Sequence, residues 1–103
     1  MADTTTTSKL LAKVKRAVGM GESVTYFDDD LSGLITAAQS DMEVAGVDKS
    51  AFSDPDFLVQ TAITTYCKLH FGQPDDAEWL KQSYDEQKAQ LASNHKYNGG
   101  DKA

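Results

Sequence analysis

The chain reads as all-α, a small four-helix bundle, on three observations. Apolar residues recur at helical spacing in four separate stretches. Each stretch is bounded by acidic or hydroxyl residues at its start and by glycine or turn-formers at its end. No segment alternates strictly between polar and apolar residues, as a half-buried strand would. A chain of 103 residues forms one domain with a single modest core. With 40% apolar and 25% charged residues, its composition is that of an ordinary globular protein.

Residues 1–7 are Thr-rich and aperiodic, and are expected to form a flexible N-terminal tail. A helical domain is expected over residues 8–92. Ser8 is the N-cap expected for a first helix reaching Val18, with Leu10, Leu11, Val14, Ala17 and Val18 in one stripe and the lysines facing away. Gly19 and Gly21 stop it. The link Met20–Phe27 is unusually apolar. Asp28, Asp29 and Asp30 then open a second helix, where carboxylates suit the free N–H groups and the positive dipole end. Its stripe is Leu31, Leu34, Ile35, Ala38, Met42 and Ala45, and Gly46 stands where a left-handed cap belongs, with Val47 folding back.

Asp54-Pro55 reads as an N-cap followed by proline at the first position of a third helix. Leu58, Val59, Ala62, Ile63, Tyr66, Cys67, Leu69, His70 and Phe71 give it a wide apolar face, and only Lys68 charges the remainder. Such a helix is either central to its own domain or half-covered by another chain. Gly72 ends it and Pro74 forbids continuation. Asp75 and Glu78 form a capping-box pattern for a fourth helix to about Ala92, with a stripe of Ala77, Leu80, Tyr84 and Leu91. Trp79 lies about 100° from Leu80 and so projects at the stripe's edge. Residues 93–103 are expected to form a flexible C-terminal tail carrying one aromatic, Tyr97.

The net charge is -6 and unevenly spread. Residues 1–18 set three lysines and Arg16 against Asp3, while residues 19–59 set nine acids against Lys49. No broad basic footprint exists for gripping nucleic acid. A basic first helix could pair with the acidic middle of a neighbouring copy, although a charged helix face is more often simply solvated. No apolar run approaches the roughly 18 residues that span a bilayer, and MADTTTTSK lacks the pattern of a secretory signal. The chain is therefore expected to stay in the cytoplasm where it is made, and its single cysteine fits a reducing compartment.

Catalytic and metal chemistry find little support. Cys67 and His70 share a helix face and make half a zinc site, but the only other histidine is His95 and there is no second cysteine. No feature lowers the Cys67 pKa as a nucleophile requires. The three consecutive aspartates lack the alternate spacing and terminal glutamate of a calcium loop, so capping is the better reading. No phosphate loop, dinucleotide fingerprint or nucleophile elbow is present. No cofactor is expected, and no enzyme.

The stretch from Asp54 to Leu91 carries a likeness. Its aromatic-rich helix ends YCKLHFG, a short acidic turn follows, and W-x4-Y stands on the next helix. Upstream lie LLAKVKRAV and FDDDLSGLITAAQSDMEVAGV. Together these resemble the small head-tail connector (adaptor) proteins of tailed bacteriophages, over Lys9 to Asn98. The resemblance implies a structural part of the virion, assembled in the host cytoplasm. It implies a homo-oligomeric ring, commonly a dodecamer, with one face on the portal protein. The other face receives the next neck or tail completion protein, and DNA passes through the channel without specific binding. No membrane is involved.

Within that frame, Tyr26, Phe27, Trp79 and Tyr97 are the candidate contacts with partner chains. Tyr26 and Phe27 either meet a partner or staple onto the second helix, and Trp79 could instead cover the turn after Gly72. Asp28, Asp29, Asp30, Asp41 and Glu43 are the acids expected to face the channel, where a negative wall lets DNA slide. The rival reading is a small acidic regulatory protein, a DNA-mimic or antitoxin-like inhibitor, which fits size and charge equally well but explains the wide third helix and the two flexible ends less well.

Overall fold

The computed structural model describes residues 4–21 and 23–100, and every regular element among them is helical. The order is α1 (Thr4–Ala17), α2 (Asp28–Ala45), a 3₁₀ turn (Lys49–Phe52), α3 (Phe57–His70), α4 (Ala77–Ser93) and a short α5 (His95–Asn98). The all-α bundle expected from the sequence is the fold observed.

α2 keeps the expected limits at both ends. Its three aspartates fill the first turn with no side-chain cap bond, so they favour that end through the helix dipole. Gly46 adopts φ +119°, and its N–H donates to the carbonyls of Met42 and Glu43. The Val47 N–H donates to the Met42 carbonyl at 2.9 Å, and the Val47 side chain is buried, completing a Schellman-type end. Leu31, Ile35, Ala38 and Met42 along this helix are wholly buried. Each of the larger ones contributes roughly 1.5–3 kcal/mol of transfer free energy.

α3 begins one short step later than expected. Asp56, not Asp54, is its N-cap, and the Asp56 carboxylate accepts the Val59 N–H at 3.1 Å. Pro55 therefore precedes the cap instead of following it. The threonines on this helix are not idle: Thr61, Thr64 and Thr65 donate their hydroxyls to carbonyls one turn back. That lets Thr65 sit buried without an unsatisfied polar atom. Gly72, at φ +73°, turns the chain toward α4, whose start lacks a side-chain cap bond, so the expected capping box does not form. Phe27 at the start of α2 meets Phe71 at the end of α3, and the start of α3 lies beside the end of α4. These three helices thus pack in alternating directions.

Three expectations are corrected. α1 starts at Thr4, so Ser8 lies inside the helix and does not cap it, while residues 1–3 lie outside the described residues. The lysines of α1 do not all face away: Lys15 is only 4% exposed, and its Nζ lies 2.9 Å from an Asp28 oxygen at the start of α2. The C-terminal segment is no free tail up to Gly100. Asn94 accepts the Lys96 N–H and starts α5, which lays Tyr97 into the core. Residues 101–103 lie outside the described residues.

Candidate assembly interface

The four aromatic candidates part company. Tyr26 stands 84% exposed, leaning edge-on against Phe27 at a centroid distance of 4.8 Å. Phe27 is half-buried against the core and meets Phe71 at the end of α3 edge-on at 5.4 Å, so it pins the link to α3. Trp79 is 63% exposed and lines a surface depression together with Asp75 and Asp76 of the turn before α4. Tyr97 is only 6% exposed: its hydroxyl donates to Asp56 at 2.5 Å and its carbonyl accepts the Asp48 N–H at 2.8 Å. That burial leaves Tyr97 little exposed surface, and what remains lines a groove between α3, the end of α4 and α5.

The five acids are not gathered on one face. Asp28, Asp29 and Asp30 are consecutive and so fan around the first turn of α2. Asp28 is paired with Lys15, while Asp29 and Asp30 are exposed. Asp41 points at α4, accepting the Tyr84 hydroxyl at 2.6 Å and the Lys88 ammonium at 3.0 Å. Glu43 lies 4.0 Å from the exposed Lys49 ammonium.

Asp41 and Asp56 anchor two similar tyrosine clamps. The Tyr84 hydrogen bond, aided by Lys88, outweighs desolvation and holds the Asp41 carboxyl below the usual carboxylate range. Burial alone would raise Asp56, yet the hydrogen bonds from Tyr97, the Val59 N–H and Lys96 together bring it below that range. Burial and the Asp41 carboxylate push the Tyr84 phenol well up. Tyr66 packs beside it at a centroid distance of 5.2 Å and carries His70 on its other side at 4.2 Å. Both clamps tie elements more than 40 residues apart in sequence and are structural in their chemistry.

Cys67 is fully buried, and burial pushes its thiol up to about 12, the opposite of what a nucleophile needs. His70, expected in the apolar stripe beside it, is exposed. Among the described residues no group of three or more His, Cys, Asp or Glu is placed to hold a metal ion. No helix among them is long and apolar enough to cross a membrane.

A surface feature absent from the sequence reading lies at the start of α3. Phe57 is 71% exposed and Leu58 55% exposed, side by side above a groove of about 470 Å³. The groove runs between α3, the end of α4 and α5, and Leu91 and Tyr97 line it from the core side. Gln87 also lines it, and its Oε1 is buried with no hydrogen-bond partner. The Lys13 ammonium of α1 sits over the Phe57 ring at 4.7 Å and donates to Gln60 at 3.1 Å. One signal was available: adjacent apolar residues on a helix point about 100° apart, so Phe57, Leu58 and Val59 cannot all face one core.

What the arrangement offers is a helical bundle with apolar side chains displayed at several separate places and no reactive constellation among the described residues. A family model described as phage connector protein matches residues 10–98. The chain belongs to that family, whose members are structural components of phage particles. No curated protein and no solved structure gives a match.

Proposed function

We propose that copies of this chain assemble as a closed ring below the portal of a tailed phage, commonly a dodecamer in this family. The ring extends the DNA channel, and its far face receives the next neck or tail completion protein. The single observation carrying the proposal is the family match across residues 10–98. The exposed aromatic side chains at Tyr26, Phe57 and Trp79 support it as anchors that a neighbouring chain can cover. Assembly takes place in the host cytoplasm, before the head joins its tail.

Of the five acids, Asp29 and Asp30 have the exposure to line such a channel, with Glu43 half-exposed beyond them. Carboxylates there repel the passing phosphates and deny the DNA any place to stop. Asp28 and Asp41, each engaged by a lysine, contribute less field than their formal charge.

The proposal is tested by capture on the portal protein of the same phage, followed by imaging of the complex. Rings stacked on the portal are the expected result, and particles made without this chain should fill with DNA yet fail to join tails. Absence of the chain from purified virions would overturn the reading.

A further inference from the structure

We infer, on the reading that copies of this chain adjoin one another, that the contact is head-to-tail. The Asp75–Trp79 corner of one copy seats on the Phe57–Leu58 groove of the next.

The corner is an exposed indole among acids. Asp75, Asp76, Glu78 and Trp79 line one surface depression at the start of α4. The groove at the other end of that helix is lined by apolar and uncharged polar side chains, with cations on its flank. It is open and apolar along Phe57 and Leu58, and it holds a buried carbonyl oxygen on Gln87 that lacks a donor. An indole brings a flat apolar body and a single N–H donor. A turn of the Gln87 amide toward the groove would satisfy both groups. On the other flank of Phe57 lies a cleft lined by Lys9, Lys13 and Arg16, with Asp54 the acid among its lining residues. The carboxylates beside the indole thus face Lys9 and Lys13 beside the groove, Arg16 already being engaged within its own chain.

The contact cannot be satisfied within one chain. Trp79 and the groove-lining Gln90 are separated by about 17 Å along α4, at 1.5 Å per residue. Two different patches on one molecule make a heterologous interface, which closes into a ring or runs on as a filament. An isologous dimer would need one patch to match itself, and neither does so: one sets acids around an exposed indole, the other is an uncharged apolar groove flanked by lysines.

The test uses the full chain in sedimentation velocity from micromolar to millimolar concentration. Trp79→Ala and Phe57→Ala should each weaken self-association by about thirtyfold or more, as central aromatic anchors do. Helicity and melting temperature should hold, because both side chains are exposed. An equimolar mixture of the two variants should form dimers and nothing longer, since each retains the patch that the other lacks. Glu78→Lys should weaken association, and mixing with Lys9→Glu should restore it. A wild-type chain that stays monomeric to millimolar concentration overturns the inference. So does association indifferent to these changes, or a groove variant that loses only portal capture. Portal capture is measured separately, so the connector reading and this contact fail independently.

Discussion

Tyr97 and Tyr26 sit in similar sequence settings and meet opposite fates. Each lies near glycines, outside the four long helices, in a segment that sequence reading treats as irregular. Tyr97 is driven into the core by α5, whereas Tyr26 stands in solvent against a single neighbouring ring. The difference lies in what awaits the hydroxyl. Asp56 serves two donors at once, its Oδ1 capping α3 and its Oδ2 receiving the Tyr97 phenol. Burying a tyrosine is favourable only when its O–H is satisfied, and Asp56 supplies that acceptor from 41 residues away. Among the described residues no hydrogen bond engages the Tyr26 hydroxyl, and the ring stays in solvent.

The sharpest way to break this comparison is Tyr97→Ala. It removes a buried ring, leaves a cavity beside Val47 and Leu91, and frees α5 from the bundle. We expect a loss of about 3–4 kcal/mol, read by chemical denaturation, which is a large share of a small domain's stability. An unchanged midpoint would return the C-terminal segment to the status of a tail.

Asp28→Ala should rank next. Lys15 is buried, and Asp28 is its partner across the α1–α2 junction. Removing one member of a buried pair typically costs about 3–5 kcal/mol. Asp28 is partly exposed and Lys15 has a further interaction, so we expect about 2 kcal/mol in the same denaturation assay. Asp29→Ala, one residue on and exposed, should move stability by less than about 0.5 kcal/mol.

Tyr97→Phe keeps the ring and removes the hydroxyl, separating packing from the clamp. A loss of about 1 kcal/mol is expected, because Asp56 retains the Val59 N–H and Lys96. The change should also alter the acid limb of stability. Asp56 and Asp41 both have folded-state pKa values below the ordinary carboxylate value. Their contribution is therefore complete above about pH 4 and is lost as pH falls through the depressed values. Tyr97→Phe lets the Asp56 value rise toward the ordinary one, so its share of acid sensitivity shrinks. Thermal melts between pH 2 and 6, compared with wild type, measure it; a wild-type curve flat across that range would contradict both clamps.

The same contrast explains what was legible in the chain. α2 declared both of its ends because the signals are local: acids in the first turn and glycine at a left-handed cap. The start of α3 was misplaced by two residues because SDPDF offers an aspartate on each side of a proline. Only the three-dimensional position of Tyr97 makes Asp56 the better cap. The buried Lys15 was equally hidden, since its partner belongs to another helix. Phe57 escaped notice for the converse reason: the spacing of Phe57, Leu58 and Val59 shows that one of them must leave the core without saying which, and its place beside Lys13 exists only once α1 folds across.

Tyr26→Ala closes the comparison with the smallest effect on stability. The ring touches little besides Phe27, and Phe27 keeps its own contact with Phe71. A change within about 0.5 kcal/mol is expected, as for other exposed positions. The consequence should fall elsewhere, because a ring this exposed loses water only when another chain covers it. Fluorescence or hydrogen exchange of the 23–27 segment, measured with and without the portal, should therefore show protection in the wild type. A Tyr26→Ala variant that melts markedly earlier would mean the ring is buried in solution, and the difference between the two tyrosines would vanish.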